Sequence, residues 1–425
     1  MLEKAPSVDA HPDRENGTIT SLPENLELDR LGYKPELQRN RSVLTLLFQT
    51  LAIAAIPYGE GSPSSPPSME AVHSQSFWQL LLIFYAVCLG SLIICVFANK
   101  YLPQVDIACA TWTAITILVI LIAVSVKASS GRHSASYTLS HYDKSFAGWG
   151  DFTFFIGLLP AAYTFSAIGM ISSMAEECNK PAIKVPRAIA LSVPVGGTAG
   201  LFFILPLCAT LPPLEDIISA PGGQALPYIL HTVMGSPGGG LALVFLVLVI
   251  TLFCSISITV AASRSTWAVA RDDAVPLAKI WAYVNPKLGV PVWSLVLLTG
   301  IQMLLGLINL GSTSAFTAFV SVGVIALAAA YAIPIFLSLW HGREEVSKAP
   351  WRCGRIVGTF VNVLALAWIA FELVLFSMPT ALPVTAVSMN YASVVFVGFM
   401  AISGVWYLLY ARKSYKGPPE SDALD

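Results

Sequence analysis

Long apolar runs alternate with short polar segments over most of this chain, from about residue 43 to residue 410. Most runs are close to the roughly 20 residues that an α-helix needs to cross the hydrocarbon core of a bilayer. A backbone in lipid must satisfy its own hydrogen bonds, so we expect every run to be helical. The pattern predicts ten membrane-spanning helices, of which the first is the shortest, at residues 43–59, 77–98, 105–127, 152–173, 188–211, 239–262, 291–310, 314–338, 357–378 and 388–410.

The composition agrees with this pattern, because 55% of the 425 residues are hydrophobic and only 12% are charged. A water-soluble chain of this length could not bury so much apolar side chain, so we expect an all-α polytopic membrane protein. The polar segments 1–40 and 412–425 are expected to be tails on either side of a transmembrane domain at 41–411, the first disordered and the second likewise unstructured from Lys413 onward. The net charge of -1 gives no indication of a nucleic-acid partner.

Lysine and arginine are distributed unequally between alternate loops, which predicts the orientation of the chain in the membrane. The segment before residue 43 and every second loop after it are basic, so both termini are expected on the cytoplasmic side. The loop 128–151 is an exception, because it is predicted to lie outside and contains Arg132 and Lys144. Three other predicted outer stretches contain neither lysine nor arginine: 60–76, 212–238 and 379–387.

Two places in the apolar runs favour an interruption of the helix. Glycine and other small residues weaken helical structure and leave backbone groups free, and in transporters such groups bind the charged ends of a small solute. The alternatives are a helix C-cap followed by a loop at the first place and close helix packing at the second. The candidate substrate-binding residues are Gly59, Glu60 and Gly61 at the first place, and Phe165, Ser166, Ala167, Ile168 and Gly169 at the second.

Charged residues follow the second interruption at its predicted cytoplasmic end, and more of them occupy the predicted connection 263–290. Acids and cations brought together there would form the charge pairs of a cytoplasmic gate. Solvated helix ends are the alternative, because a positive-inside loop carries such charges in any case. The candidate gate residues are Glu176, Glu177, Arg187, Arg264 and Arg271.

The sequence contains no P-loop, no GxSxG, no HExxH and no Cys/His cluster, so we expect neither catalysis nor a cofactor or metal. Many spans without a nucleotide site indicate a secondary transporter, and no filter motif supports a channel. Asp106 and Asp151 lie at span edges and are expected to be hydrated. Glu372, inside the ninth span, is expected to be functional, packed or interfacial.

Three segments carry a family resemblance: 162–189 reads AYTFSAIGMISSMAEECNKPAIKVPRAI, 262–293 reads ASRSTWAVARDDAVPLAKIWAYVNPKLGVPVW, and 383–395 reads PVTAVSMNYASVV. The first resembles a signature of the amino acid–polyamine–organocation (APC) superfamily that runs A-E-E, then N, then V-P-R-A-I. The second resembles one that runs S-R, A-R-D, V-N-P and V-P. More narrowly, the chain is similar to the fungal amino acid/choline permeases, over residues 28–422.

The resemblance implies the APC inverted-repeat fold, with two five-helix repeats, two extra helices and a substrate site between the interrupted first and sixth helices. The two interruptions at 59–61 and 165–169 match those helices by position. The superfamily has twelve spans, so the ten predicted here imply that its second and third helices are missing between Gly61 and Phe77 and that the first repeat is incomplete. A gene-model or splicing artefact and a degenerate paralogue are both open explanations.

The resemblance also implies a function, namely secondary active transport of amino acids or related small amines such as GABA across the plasma membrane, with a proton as the coupling ion. A choline or polyamine transporter of the same fold is the alternative, and a transport-dead truncated permease is another. The expected partners are a small-molecule substrate and the lipid bilayer, without nucleic acid.

Overall fold

Helices make up the regular structure of the computed structural model, which describes residues 36, 37, 39, 41–54, 77–144, 147–220, 225–311, 313–379, 382–385, 389–415 and 417. Within these ranges no β-strand is formed, and the extended pairing is limited to two isolated bridges, Arg41 with Cys178 and Asn285 with Val290. The predicted all-α class is confirmed.

The α-helices of the described residues are numbered here in chain order. They are α1 (Val43–Ala54), α2 (Phe77–Phe97), α3 (Leu102–Lys127), α4 (Ala135–Ser140), α5 (Thr153–Ile156), α6 (Leu159–Ser166), α7 (Pro181–Ala209), α8 (Leu214–Ile218), α9 (Ala225–Met234), α10 (Pro237–Arg271), α11 (Ala278–Trp281), α12 (Val292–Gly311), α13 (Thr313–Trp340), α14 (Glu344–Lys348), α15 (Arg355–Leu375), α16 (Ala392–Trp406) and α17 (Arg412–Ser414). Three 3₁₀ segments, Asn99–Tyr101, Gly150–Phe152 and Ala167–Glu177, and a π-helical turn, Tyr407–Ala411, adjoin them.

Eight helical stretches of the described chain are long and apolar enough to cross a membrane, and they coincide with eight of the ten predicted spans. The first and seventh predicted spans contain shorter described apolar stretches, Val43–Ala52 in α1 and Val292–Ile308 in α12. The eight are Trp78–Phe97, Asn99–Lys127, Gly150–Glu177, Pro181–Ala209, Pro237–Arg271, Ser321–Trp340, Arg355–Leu375 and Ala392–Ser414.

Some boundaries differ from the sequence prediction. α10 continues to Arg271, so residues 263–271 are helical rather than part of a connection, because Trp267 and Ala270 are buried and keep this end of the helix packed. α7 begins earlier than predicted, at Pro181, since proline is compatible with the first turn of a helix. The predicted outer stretch 212–238 contains the short helices α8 and α9.

α1 is the element around which the functional region is built. It packs against α3, α7, α10 and the 3₁₀ segment Ala167–Glu177. The buried cluster at this junction contains Leu46 of α1 and Ile171 of the 3₁₀ segment, both with 0% exposure. Two further clusters join α3, α7, α9 and α10, and α5, α13, α15 and α16. The 3₁₀ segment is therefore held between α1 and α10.

Candidate functional site

The fourth predicted span changes helix type where its small residues begin. α6 ends at Ser166, and the next 11 residues, Ala167–Glu177, continue as a 3₁₀ helix. Such runs rarely exceed about four residues, because 3₁₀ hydrogen bonds have poorer geometry than α-helical ones. The α-helical hydrogen-bond ladder therefore stops inside an apolar span, next to Gly169. That this backbone binds substrate stays a prediction.

Gly169 allows Tyr331 of α13 to lie directly against the 3₁₀ segment. A β-carbon built on Gly169 would lie 2.6 Å from Tyr331 Cζ, so a larger residue would displace the ring. The Tyr331 hydroxyl oxygen is buried and has no hydrogen-bond partner in the described part of the chain. Three residues further on, Pro334 cannot donate to the Ala330 carbonyl, which weakens the ladder of α13 as well. An unpaired hydroxyl thus lies where two irregular helices meet.

Four charged side chains form a buried cluster, named the charge quartet here, at the end of the 3₁₀ segment. Its members are Arg41, Asp106, Glu177 and Arg264, each at most 4% exposed. Glu177 Oε1 accepts a hydrogen bond from Arg264 Nε at 2.8 Å, and Oε2 accepts one from Arg41 Nε at 3.2 Å. Arg41 Nη1 also pairs with Asp106. Two cations and two anions balance, which reduces the cost of burying each charge.

Neutral groups complete the hydrogen bonding of the charge quartet. Arg264 Nη2 donates to Asn99 Oδ1 at 2.9 Å, and Ser257 donates to Asp106 Oδ1 at 3.1 Å. The Arg41 backbone N–H donates to the Glu177 carbonyl at 3.0 Å. The quartet therefore ties the residues before α1 to α3, to α10 and to the 3₁₀ segment.

A second, half-buried ion pair lies next to the charge quartet. Arg271 Nη2 donates to Glu176 Oε1 at 2.8 Å, and both side chains are almost one-fifth exposed. The Arg271 guanidinium also lies 4.5 Å from the centre of the Trp267 ring, in a cation–π arrangement. Adjacent acids on one segment thus pair with two arginines of one helix, α10.

The structure brings together four of the five predicted gate residues, as the pairs Glu177–Arg264 and Glu176–Arg271. The fifth, Arg187, is exposed on α7 and joins no ion pair in the part of the chain that the structure describes. Whether these pairs act as a gate stays a prediction. Of the substrate-binding candidates, Phe165, Ser166, Ala167, Ile168 and Gly169 straddle the change of helix type, whereas Gly59, Glu60 and Gly61 fall outside the described residues.

Sequence reasoning missed Arg41 and Asp106. The expectation that Asp106 is hydrated is wrong, because Arg41 and Ser257 supply the hydrogen bonds that water would otherwise provide. A carboxylate in the first turns of an apolar helix was the available signal. Asp151 is exposed, as expected, and pairs with Lys144. Glu372 of α15 is 8% exposed, in agreement with the packed alternative.

Comparison of the sequence with known proteins identifies its family. The family model for amino acid permeases matches residues 40–400. The chain is 33% identical over 325 residues to an uncharacterized amino-acid permease of Schizosaccharomyces pombe, covering 76% of this chain and 59% of that protein. It is 28% identical over 389 residues to a choline transporter of Saccharomyces cerevisiae, covering 90% and 66%.

A polyamine transporter of Saccharomyces cerevisiae is 29% identical over 354 residues, covering 80% of this chain and 57% of the relative. The chain thus spans between 57% and 66% of the length of these three relatives. The match of the permease model over residues 40–400 agrees with the apolar helices, which are those of a membrane protein. The chain belongs to the amino acid permease family, a family of transporters rather than of enzymes.

Proposed function

We propose that this protein is a secondary active transporter of amino acids or related small amines, such as GABA, in the plasma membrane. Membership of the permease family supports the class of activity. The observation that carries the proposal is the 3₁₀ segment Ala167–Glu177, which replaces α-helix within the apolar stretch Gly150–Glu177. Irregular backbone at membrane depth is expected where it lines a solute site.

The cargo is proposed to bind beside the start of the 3₁₀ segment. Peptide groups at 165–169, and at 59–61 from the first span, would bind its charged ends, as half-helix ends do in transporters with interrupted helices. The unpaired Tyr331 hydroxyl is a side-chain candidate at the same place. A small zwitterion or amine fits this chemistry, because peptide carbonyls bind an ammonium group and peptide N–H groups bind a carboxylate.

The charge quartet and the pair Glu176–Arg271 are proposed to close the cytoplasmic side. They connect the segment before α1, α3, the 3₁₀ segment and α10, so these parts cannot separate while the pairs hold. The distribution of lysine and arginine supports a cytoplasmic location for them and for both termini. A proton is proposed as the coupling ion on the resemblance to the APC superfamily.

A choline or polyamine transporter is the second candidate, favoured by the similarity to the two Saccharomyces cerevisiae relatives that carry those names. Amino acids, choline and polyamines all carry a positively charged nitrogen. A transport-dead truncated permease is a further alternative, motivated by the ten spans predicted from the sequence where the superfamily has twelve.

Uptake of labelled compounds by a permease-deficient fungal strain tests these proposals. Cells expressing the protein are expected to take up at least one amino acid, or GABA, above the vector control. Surface immunostaining of a tagged copy establishes that the protein is delivered to the plasma membrane. Uptake of choline or spermidine alone would favour the second candidate. No uptake of any compound by surface-exposed protein would contradict both transport proposals.

A further inference from the structure

Arg343 is a buried cation without a carboxylate partner in the described part of the chain. It lies in the turn between α13 and α14, and only 8% of the residue is exposed. None of the described carboxylates forms an ion pair with it, and Glu345 of α14, the helix that follows this turn, pairs with Lys348 instead. Its Nη1 donates to the Arg355 carbonyl at 3.3 Å, whereas its buried Nε has no hydrogen-bond partner among the residues that the structure describes. Because arginine stays protonated, a full positive charge is left to be compensated.

The guanidinium of Arg343 lies on the first turn of α15. A β-carbon built on Gly358 would overlap it, so only glycine leaves room at that position. α15 is 21 residues long, and its N-cap residue, Gly354, has no side chain that could accept from the free N–H groups of the first turn. A helix N-terminus is itself electropositive. The buried cation therefore adds to a positive field instead of neutralising a negative one.

The C-terminal end of α13 does not supply the missing negative charge. The carbonyls of Leu337, Ser338 and Leu339 each accept a backbone N–H from the turn that follows. The Ser338 hydroxyl oxygen is also buried without a partner among the described residues. The end of α13 and the turn after it thus each contain a buried polar atom without a hydrogen-bond partner among the described residues, Ser338 Oγ and Arg343 Nε.

We propose that the first turn of α15, together with Arg343, binds a phosphate group. Guanidinium groups match the oxygens of phosphate, and free N–H groups at a helix start bind the same anion. Exposed Arg352 and Arg355 add positive charge, and Ile356, which is 86% exposed, places apolar surface beside the site. An anionic phospholipid or free phosphate could supply the group. This inference does not depend on transport activity.

The test uses the full-length protein in phosphatidylcholine nanodiscs, with the thermal unfolding temperature as the readout. One series raises the fraction of phosphatidic acid, and a second adds inorganic phosphate without anionic lipid. Arg343→Gln removes the charge. Gly358→Ala displaces the guanidinium without changing the net charge. Lys348→Gln is the matched control, because it removes one exposed cation five residues away, at the end of α14.

Phosphatidic acid is expected to raise the unfolding temperature of wild type and of Lys348→Gln. Arg343→Gln and Gly358→Ala are expected to need a roughly 10-fold higher fraction of phosphatidic acid for half of that rise. The same dependence on Arg343 in the inorganic phosphate series would identify the source as solution phosphate, and a response to lipid alone would identify it as the headgroup. Both outcomes support the site.

The proposal is overturned if both site variants follow wild type in both series, or if no wild-type shift occurs in either. In neutral lipid, Arg343→Gln is expected to be at least as stable as wild type, because an unpaired buried charge has been removed. A lower unfolding temperature there would show that Arg343 serves packing, which counts against the proposal. If Arg343→Gln does not fold, Gly358→Ala gives the decisive comparison.

Discussion

The Tyr331 hydroxyl forms no hydrogen bond with any described group. Removing this hydroxyl therefore distinguishes a structural role from a role in binding cargo. Tyr331→Phe is expected to leave the unfolding temperature unchanged or slightly higher, because no partner loses a hydrogen bond. If the hydroxyl binds cargo, the concentration for half-maximal uptake rises about 10-fold, which corresponds to about 1.4 kcal/mol. A dose–response series of uptake and a thermal melt measure the two quantities.

Tyr85→Phe is the matched control, because the Tyr85 hydroxyl donates to the Met303 carbonyl at 3.0 Å. That variant is expected to lose about 1 kcal/mol of stability with unchanged cargo affinity. A Tyr331→Phe protein that melts lower and transports normally would exclude a cargo contact.

Gly169 is expected to tolerate no larger side chain, because the added carbon would meet the Tyr331 ring at 2.6 Å. Gly169→Ala should destabilise the protein by about 1–3 kcal/mol or shift the ring enough to reduce uptake. Gly197→Ala on α7 is the control, since nothing lies within 4 Å of its added carbon. Equal melting temperatures and equal uptake for the two variants would contradict the close contact.

Among the members of the charge quartet, Glu177 is the one whose replacement should lower the stability of the protein most. Glu177→Gln leaves Arg41 and Arg264 with Asp106 as the single carboxylate of the quartet, and breaking a buried pair in this way costs about 3–5 kcal/mol. Glu176→Gln alters a pair that is partly exposed and should cost about 1 kcal/mol or less. Thermal melts of both variants in one detergent provide the comparison. Similar losses of stability would contradict the expectation that the buried pair contributes more than the partly exposed one.

At the scale of elements, Arg41 joins the start of α1 to the 3₁₀ segment and to α3. Arg41→Gln should loosen this junction, so amide hydrogen exchange in the peptide covering 41–47 is expected to accelerate. Exchange in α9 should stay the same, because that helix belongs to a different buried cluster. Uniform acceleration in both peptides would indicate global destabilisation rather than release of α1.

Sequence patterns predicted the helices well, because lipid leaves an apolar backbone almost no alternative to helix. The change of helix type at Ala167 falls where Ser166, Ala167 and Gly169 weaken the pattern. The Arg41–Asp106 pair could not be predicted, since it joins segments 65 positions apart and depends on how α1 packs. The extension of α10 was missed because burial of Trp267, rather than hydropathy, keeps that turn in place.

At the scale of the whole molecule, the chain spans 57% to 66% of the length of three relatives. If the protein is a working permease, its transcript is expected to encode about two further spans of roughly 20 residues each between the codons for Gly61 and Phe77. Sequencing the transcript across this interval is the measurement. A transcript without the insertion, from cells in which the protein transports, would show that the two helices are dispensable.

The carboxylate of Glu177 has one oxygen for each of two arginines, and these come from distant parts of the chain. When either arginine withdraws, the other can keep the Glu177 carboxylate as its counterion, so the cation that stays behind is not left unpaired. Separation of the joined ends is therefore expected in two successive steps with a half-released intermediate, whose order depends on which arginine leaves first.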